Sequence, residues 1–266
     1  SLSKIGSKGV FTEELEHQLK TKEIDIAVHS AKDVQSKLDD ELELIAFTER
    51  EVVNDVVVSL DKNFSLSVGN DADLVVGTSS TRRVAFMKYY YPQVKVVDMR
   101  GNLQTRFEKM QRGDCHAMIL AYAGVHRMNF DDFIVQKLPL ETFTPPVGQG
   151  SVAIESHRDL DGEKREVIRN CINDPATETC LLAERAFLKT MAGGCSVPTF
   201  ALCQNIDNNQ IFLKGGIISL DGKKMAVQFM TVEAEKAAKA GEILAKKVLS
   251  VGGKEILDEI LKTVRV

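Results

Sequence analysis

Long hydrophobic runs are missing from this 266-residue chain: no apolar stretch approaches the ~20 residues needed to cross a bilayer, so a membrane-spanning helix is not expected. Positive charge is also in short supply. The 34 Lys and Arg are outnumbered by 38 Asp and Glu, for a formal charge of −4. A general nucleic-acid binder owes most of its affinity to cationic side chains on phosphates, so none is expected here. Cysteine is scarce and ungrouped. The five (Cys115, Cys171, Cys180, Cys195 and Cys203) are odd in number, show no CxxC spacing and do not cluster with the five histidines. This reads as a reducing compartment with no structural zinc and no disulfide framework. Residues 1–9 lack the apolar segment of a secretory signal, so secretion is not expected.

What is present, 44% hydrophobic and 27% charged residues, is the composition of a globular protein with a substantial core. The length suits two or three domains rather than one. Residues 11–20 set Phe11, Leu15 and Leu19 on one stripe, with Thr12 as an N-cap, and predict a surface helix. A strand over 24–28 then runs into the polar Ser30, Ala31, Lys32 and Asp33. Further strands are expected at 42–47 and 56–60. A strand at 74–76 leads through Gly77, Thr78, Ser79 and Ser80 into a helix over 81–90, and the unit recurs. Strand 95–97 meets Arg100, Gly101 and Asn102 before a helix bearing Leu103, Phe107 and Met110, and strand 118–120 precedes a helix around Val125. Such alternation indicates α/β layers, whose ligands sit beyond the carboxyl ends of the strands. After Pro145 and Pro146 come the turn Gly148, Gln149, Gly150, a strand over 152–155 and helices through residue 190. The remainder, strands at 199–202, 211–220 and 225–232 and helices from Ala234 and Lys254, reads as a separate α+β unit.

The candidate chemistry gathers on the polar turns. Arg82 and Arg83 follow Ser80 at a helix start, where amides, hydroxyls and guanidinium forks can converge on an anion; an N-cap followed by two solvated arginines is an equal alternative. Arg100, Arg106 and Arg127 sit on corresponding turns, and their shared placement points to a polycarboxylate ligand. Ser30, Lys32 and Asp33 stand at a strand end, where a carboxylate can steady a developing cation or simply cap a turn. His29 reads as a packed residue and not a metal ligand, and no metal site is expected. Cys195 lies in Gly193, Gly194, Cys195, Ser196, Val197, Pro198, a setting that ends the preceding helix and can expose the thiol as a nucleophile, although a small buried hydrophobe is the commoner role of cysteine.

Taken in order, Lys4 through Phe11 with its Lys8-Gly9 turn, residues 25–34, residues 76–83, Arg100-Gly101-Asn102 with Thr105-Arg106, residues 146–150 and residues 193–198 resemble the porphobilinogen deaminase family. The resemblance implies an α/β fold of three domains. The first two, residues 1–50 plus 147–172 and residues 51–146, would resemble periplasmic-binding-protein lobes; the third, residues 173–266, would be a smaller α+β domain carrying the cofactor cysteine. It implies a transferase that joins four porphobilinogens head to tail, with loss of ammonia, on a dipyrromethane held by thioether to Cys195, releasing hydroxymethylbilane. By the same resemblance Asp33 is the catalytic carboxylate. Ser30, Lys32, Ser80, Arg82 and Arg83 bind the cofactor, and Arg100, Arg106, Arg127, Gln149 and Lys8 bind substrate. A monomer in the cytoplasm or an organelle stroma is implied, without nucleic acid or membrane.

Two departures from the family pattern stand out. The sequence begins after the family's usual first strand and helix, and Glu13 occupies a position where many relatives carry lysine. The rival reading is a two-lobed solute-binding protein with an arginine-lined cleft, which leaves Cys195 and the third domain without a task. A degenerate family member kept as a structural partner is weighed against by the intact Asp33, Arg82, Arg83 and Cys195.

Overall fold

The structure, a computed structural model, describes residues 10–67, 73–192, 197–207 and 209–264; Lys8 and Cys195 lie outside the described residues. The first half of the chain runs α1 (Val10–Lys20), β1 (Ile26–Ser30), β2 (Leu42–Phe47), β3 (Asp55–Ser59), β4 (Val75–Gly77), α2 (Thr81–Tyr90), β5 (Lys95–Val97), α3 (Leu103–Gln111), β6 (Ala117–Ala121), α4 (Tyr122–Arg127) and β7 (Ile134–Lys137). The second half runs β8 (Val152–His157), α5 (Gly162–Ile172), α6 (Pro175–Met191), β9 (Thr199–Asn205), β10 (Gln210–Ile218), β11 (Met225–Glu233), α7 (Ala237–Val248) and α8 (Lys254–Val264).

These elements make three sheets, in the orders β1-β8-β2, β5-β4-β6-β3-β7 and β11-β10-β9. The first draws its middle strand from far along the chain: β8 pairs antiparallel with both β1 and β2. The second is mixed. β5, β4 and β6 run parallel, as strand-helix-strand units require, while β3 and β7 pair antiparallel. The third is an antiparallel meander whose turn passes through Gly222.

Packing follows the side-chain periods. Ile211, Leu213 and Ile217, alternating on β10, meet Phe187 and Met191 of α6 and Ala240 and Leu244 of α7 on the covered face of the third sheet. Phe200 and Ile218 face the other way and join Phe86 and Phe143 in the core of the second sheet. Phe86 stands 5.3 Å from Phe143 and 5.0 Å from Phe200, ring centre to ring centre, so the two units share an aromatic contact.

Three local expectations need adjusting. The helix α1 begins at Val10, which puts Thr12 inside its first turn and not at the cap. Strand β1 lies two residues later than the apolar run implies, because pairing continues to Ser30 opposite Val152 while residues 21–24 fold back onto the end of α1. Strand β7 has no counterpart in the sequence pattern: it is short and half-polar, and it exists because Val56–Val58 of β3 offers it an edge.

Candidate functional site

In the second sheet the parallel strands β4, β5 and β6 end on one rim. The turns that follow them carry Thr78, Ser79 and Ser80, then Asp98 to Asn102, then α4. Strand β3 runs the opposite way, so its first residue, Asp55, stands opposite Ala121, the last of β6, on that same rim. The end of β1 supplies the facing wall. Residues Ala31–Asp33 form a single 3-10 turn directly after Ser30.

The turn at residues 146–151 presses against this wall. Gly148 has φ +79°, and a Cβ there would sit 2.6 Å from the Ala31 carbonyl carbon, 2.7 Å from its oxygen and 2.8 Å from the Lys32 nitrogen. Only glycine permits both the conformation and the approach. The turn bearing Lys32 and Asp33 is thereby seated on residues more than a hundred positions later in the chain.

Arg82 and Arg83 do open α2, capped by Ser80, whose Oγ accepts from the Arg83 amide at 3.5 Å. Neither is solvated. Arg82 is 4% and Arg83 7% exposed, and both converge on Asp55, which is fully buried. Arg82 Nη2 donates to Asp55 Oδ2 at 2.7 Å and Nη1 to the Thr144 carbonyl at 2.9 Å. Arg83 donates from Nε and Nη2 to Asp55 Oδ1 at 3.1 and 2.7 Å, and from Nη1 to the Ile119 carbonyl at 3.0 Å. Burial alone would raise the Asp55 carboxyl, but the two guanidiniums reverse this and hold it well below the usual carboxylate range. Burial draws Arg82 below its usual value against the opposing pull of Asp55.

Gln149, expected at the substrate, is 1% exposed, and its amide is spent inside: Nε2 donates to the Val53 carbonyl at 2.7 Å and to Asp55 Oδ1 at 3.0 Å. Its Oε1 and Arg82 Nε are buried without a partner among the described residues. The Gln149 carbonyl accepts from Arg50 Nε at 2.9 Å, and Arg50 in turn grips Glu184 of α6 at 2.6 and 3.1 Å. Glu184, fully buried, also accepts from the Gly148 and Cys203 amides at 2.9 and 2.8 Å. Burial would lower the Arg50 guanidinium, yet Glu184 raises it. One hydrogen-bonded chain therefore runs from the third sheet's helix through the 148–150 turn to the arginine pair.

Around this buried chain stand the accessible charges. Lys32 and Asp33 are both solvent-exposed. The cleft walls strip enough water from the Lys32 ammonium to push it below the usual lysine value, and Arg83 adds to the effect, partly offset by Asp33. Because Lys32 is exposed by area, the lowering reflects crowding by the walls and not enclosure. Arg106 is half-buried, bonded from Nε to the Gly101 carbonyl at 2.7 Å, and lowered by burial and then by Arg83. Arg83 thus acts on both Lys32 and Arg106, and Asp33 acts on Lys32. Arg100 lies farther out, paired with Asp98 at 2.8 Å on the surface, and Arg127 is exposed at the end of α4. Among the described residues no group of three or more His, Cys, Asp or Glu is placed to hold a metal. A separate cavity of about 440 Å³ between β2 and α6, lined by Asp39, Arg158, Arg185 and Lys189 among others, contains none of the candidate residues.

Sequence reasoning passes over Asp55, Arg50 and Glu184. Two of them carry a signal. Asp55 interrupts the run Val52, Val53, Asn54, Asp55, Val56, Val57, Val58, and a carboxylate inside an apolar strand needs a buried cation. Glu184 lies on the buried stripe of α6 with Cys180, Phe187 and Met191.

A family model described as "Porphobilinogen deaminase, dipyromethane cofactor binding domain" matches residues 1–165, and one described as "Porphobilinogen deaminase, C-terminal domain" matches residues 178–250. The porphobilinogen deaminase of Cytophaga hutchinsonii is 55% identical over 262 residues, 98% of this chain and 83% of that protein. That of Desulfosudis oleivorans is 52% identical, covering 98% and 84%. Among solved structures, the periplasmic VFT2 domain of Bordetella pertussis BvgS aligns at 20% identity and a TM-score of 0.36, over 59% of this chain and 64% of that one.

Proposed function

The chain belongs to the porphobilinogen deaminase family, and from that premise we propose that the cleft around Asp33 is where it joins four porphobilinogens head to tail, with loss of ammonia, to give hydroxymethylbilane. The observation that carries this reading is the distribution of charge on the rim: an exposed carboxylate, Asp33, stands beside Lys32, and Arg83 acts on both Lys32 and Arg106. Each pyrrole brings two carboxylates, which need such partners, and one N–H, which needs an acceptor.

The dipyrromethane fits the residues present. Cationic donors outnumber acceptors, and two buried polar atoms, Arg82 Nε and Gln149 Oε1, still want a partner. Lys32, Ser30, Ser80, Arg82 and Arg83 would hold the group, with Cys195 as its covalent anchor. When bound it supplies the nucleophilic pyrrole carbon from which the chain grows. Asp33 accepts the pyrrole N–H and steadies positive charge as ammonia departs. Arg106, with Arg100 and Arg127 farther out on the rim, takes carboxylates of incoming units.

Residues 1–50 with 147–172, residues 51–146 and residues 173–266 serve as the three domains, each around one sheet. The protein acts as a monomer in the cytoplasm or a stroma, on a small molecule and without nucleic acid. No described helix is long and apolar enough to cross a membrane.

Intact mass under denaturing conditions tests the reading. A covalent increment of two linked pyrroles is expected, mapping by peptide analysis to Cys195. Unmodified protein after incubation with porphobilinogen, or an adduct on Cys115, Cys171, Cys180 or Cys203 with Cys195 free, defeats it.

A further inference from the structure

Adjacent arginines repel, and buried ones repel more strongly because little water lies between them. Arg82 and Arg83 nevertheless share one location, since a single carboxylate takes three guanidinium N–H groups on its two oxygens. Backbone carbonyls of Thr144 and Ile119 fix the outer nitrogens. The Arg82 guanidinium also lies 5.6 Å from the Phe86 ring centre, which limits its swing. The carboxylate itself is also held by Gln149 Nε2, which donates at 3.0 Å to Oδ1, the oxygen that Arg83 shares.

We propose that Asp55 is a positioning residue for the reaction: by holding Arg82 and Arg83 on its two oxygens it sets where the pair meets a pyrrole carboxylate, and it leaves the pair one net positive charge. The inference rests on the reading that this pair binds the pyrrole side chains. Three features separate it from ordinary core packing. Asp55 lies on the ligand rim, opposite Ala121 at the end of β6. Its partners Arg82 and Arg83 both act on Lys32, and Arg83 acts on Arg106 as well. An Arg82 Nε without a partner among the described residues remains beside it. Replacing Asp55 with a neutral residue leaves two buried like charges without a counter-ion, and one guanidinium must then move toward water. The carboxylate grip that this weakens is on the covalently held dipyrromethane, which would supply the attacking pyrrole carbon, so cofactor loading and the orientation of that carbon suffer while the contacts to incoming units at Arg106 are kept. In loaded molecules kcat should fall with little change in KM.

The test compares Asp55→Asn, Asp55→Glu and Arg83→Ala, each expressed with porphobilinogen present. The covalently loaded fraction is counted by intact mass, folding is followed by thermal melting, and rates are expressed per loaded molecule. For Asp55→Asn a reduced loaded fraction and a kcat per loaded molecule about 10- to 100-fold below the parent are expected, the equivalent of one charge-assisted hydrogen bond. Asp55→Glu, which keeps the charge one methylene away, should fall between that variant and the parent in both readouts. A purely structural role would instead lower the melting point and the loaded fraction while leaving kcat per loaded molecule at the parent value, and that result overturns the proposal. Should Asp55→Asn not fold, Asp55→Glu decides by the same criterion. If Arg83→Ala itself leaves loading and kcat per loaded molecule unchanged, the reading of the arginine pair fails. If Arg83→Ala impairs both and the Asp55 variants impair neither, only the role of Asp55 falls.

Discussion

At the level of single residues the cleft divides its charges by task, and burial decides which task each can have. Asp33 is exposed on a one-turn helix, whereas Asp55 is enclosed and engaged by two guanidiniums. An exposed carboxylate can turn to a ligand; an enclosed one can only hold its neighbours. Asp33→Asn should therefore leave folding intact while lowering turnover by orders of magnitude, since even ~3 kcal/mol of lost transition-state stabilisation is more than 100-fold. Asp33→Glu should retain more activity than Asn. Steady-state hydroxymethylbilane formation by protein loaded beforehand separates chemistry from cofactor assembly, and equal rates for Asn and the parent would return Asp33 to the role of a turn cap. Arg127 is exposed and at the far end of α4, so Arg127→Ala should leave the loaded fraction at the parent level and slow a later addition, visible as accumulation of one covalent intermediate by mass.

Secondary-structure elements act here chiefly through where they stop. Strands β4, β5 and β6 end on a common rim and deliver two polar turns and the start of α4 there, while β1 ends in the turn that holds Lys32 and Asp33. The position of that last turn depends on Gly148, whose left-handed φ and absent side chain let the 146–151 turn pack on Ala31 and Lys32. Gly148→Ala combines a φ that an L-residue adopts only at a cost of ~1–2 kcal/mol with a clash against backbone that has no rotamer to yield. The expected outcome is reduced stability in urea and a fall in kcat larger than the stability loss explains, because the turn carrying Asp33 must shift. A variant that unfolds at lower urea but keeps full kcat would show that the seat is merely structural.

For the whole molecule, the hydrogen-bonded chain from Glu184 through Arg50 and Gln149 to Asp55 ties all three sheets to the site. Breaking a buried pair by removing one partner costs ~3–5 kcal/mol, because the remaining charge is left uncompensated. Glu184→Gln should destabilise the protein by roughly that amount in equilibrium denaturation, with removal of the Arg50 charge partner as the cause. An effect below ~1 kcal/mol, the range of surface pairs, would mean that water reaches the junction. Acid should act on the same chain. The folded Asp55 pKa lies below its ordinary value of 3.8, so its contribution is complete above that pH and is lost as pH falls below it toward the folded value. Stability of the parent between pH 4 and pH 2 should accordingly decline more steeply than that of Asp55→Asn, as urea midpoints across that interval would report.

The amino-acid pattern by itself determined the order and type of nearly every element, because periods of 2 and 3.6 residues are local properties: α2 and β5 coincide with the expected spans, and the α+β tail follows its hairpin and helices. It also determined which turns carry Ser30, Lys32, Asp33, Ser80, Arg82 and Arg83, and, through their resemblance to a known family, what those residues are expected to do. Only the tertiary structure decided how the charges are shared. That Arg82 and Arg83 face inward on Asp55, that the Gln149 amide points into the protein, and that Glu184 reaches Arg50 across 134 positions all depend on sheet order and on β8 returning between β1 and β2. The physical reason is one of range. A hydrophobic period is written within ten residues, whereas the partner of a buried charge is chosen by whichever distant segment the fold brings alongside it.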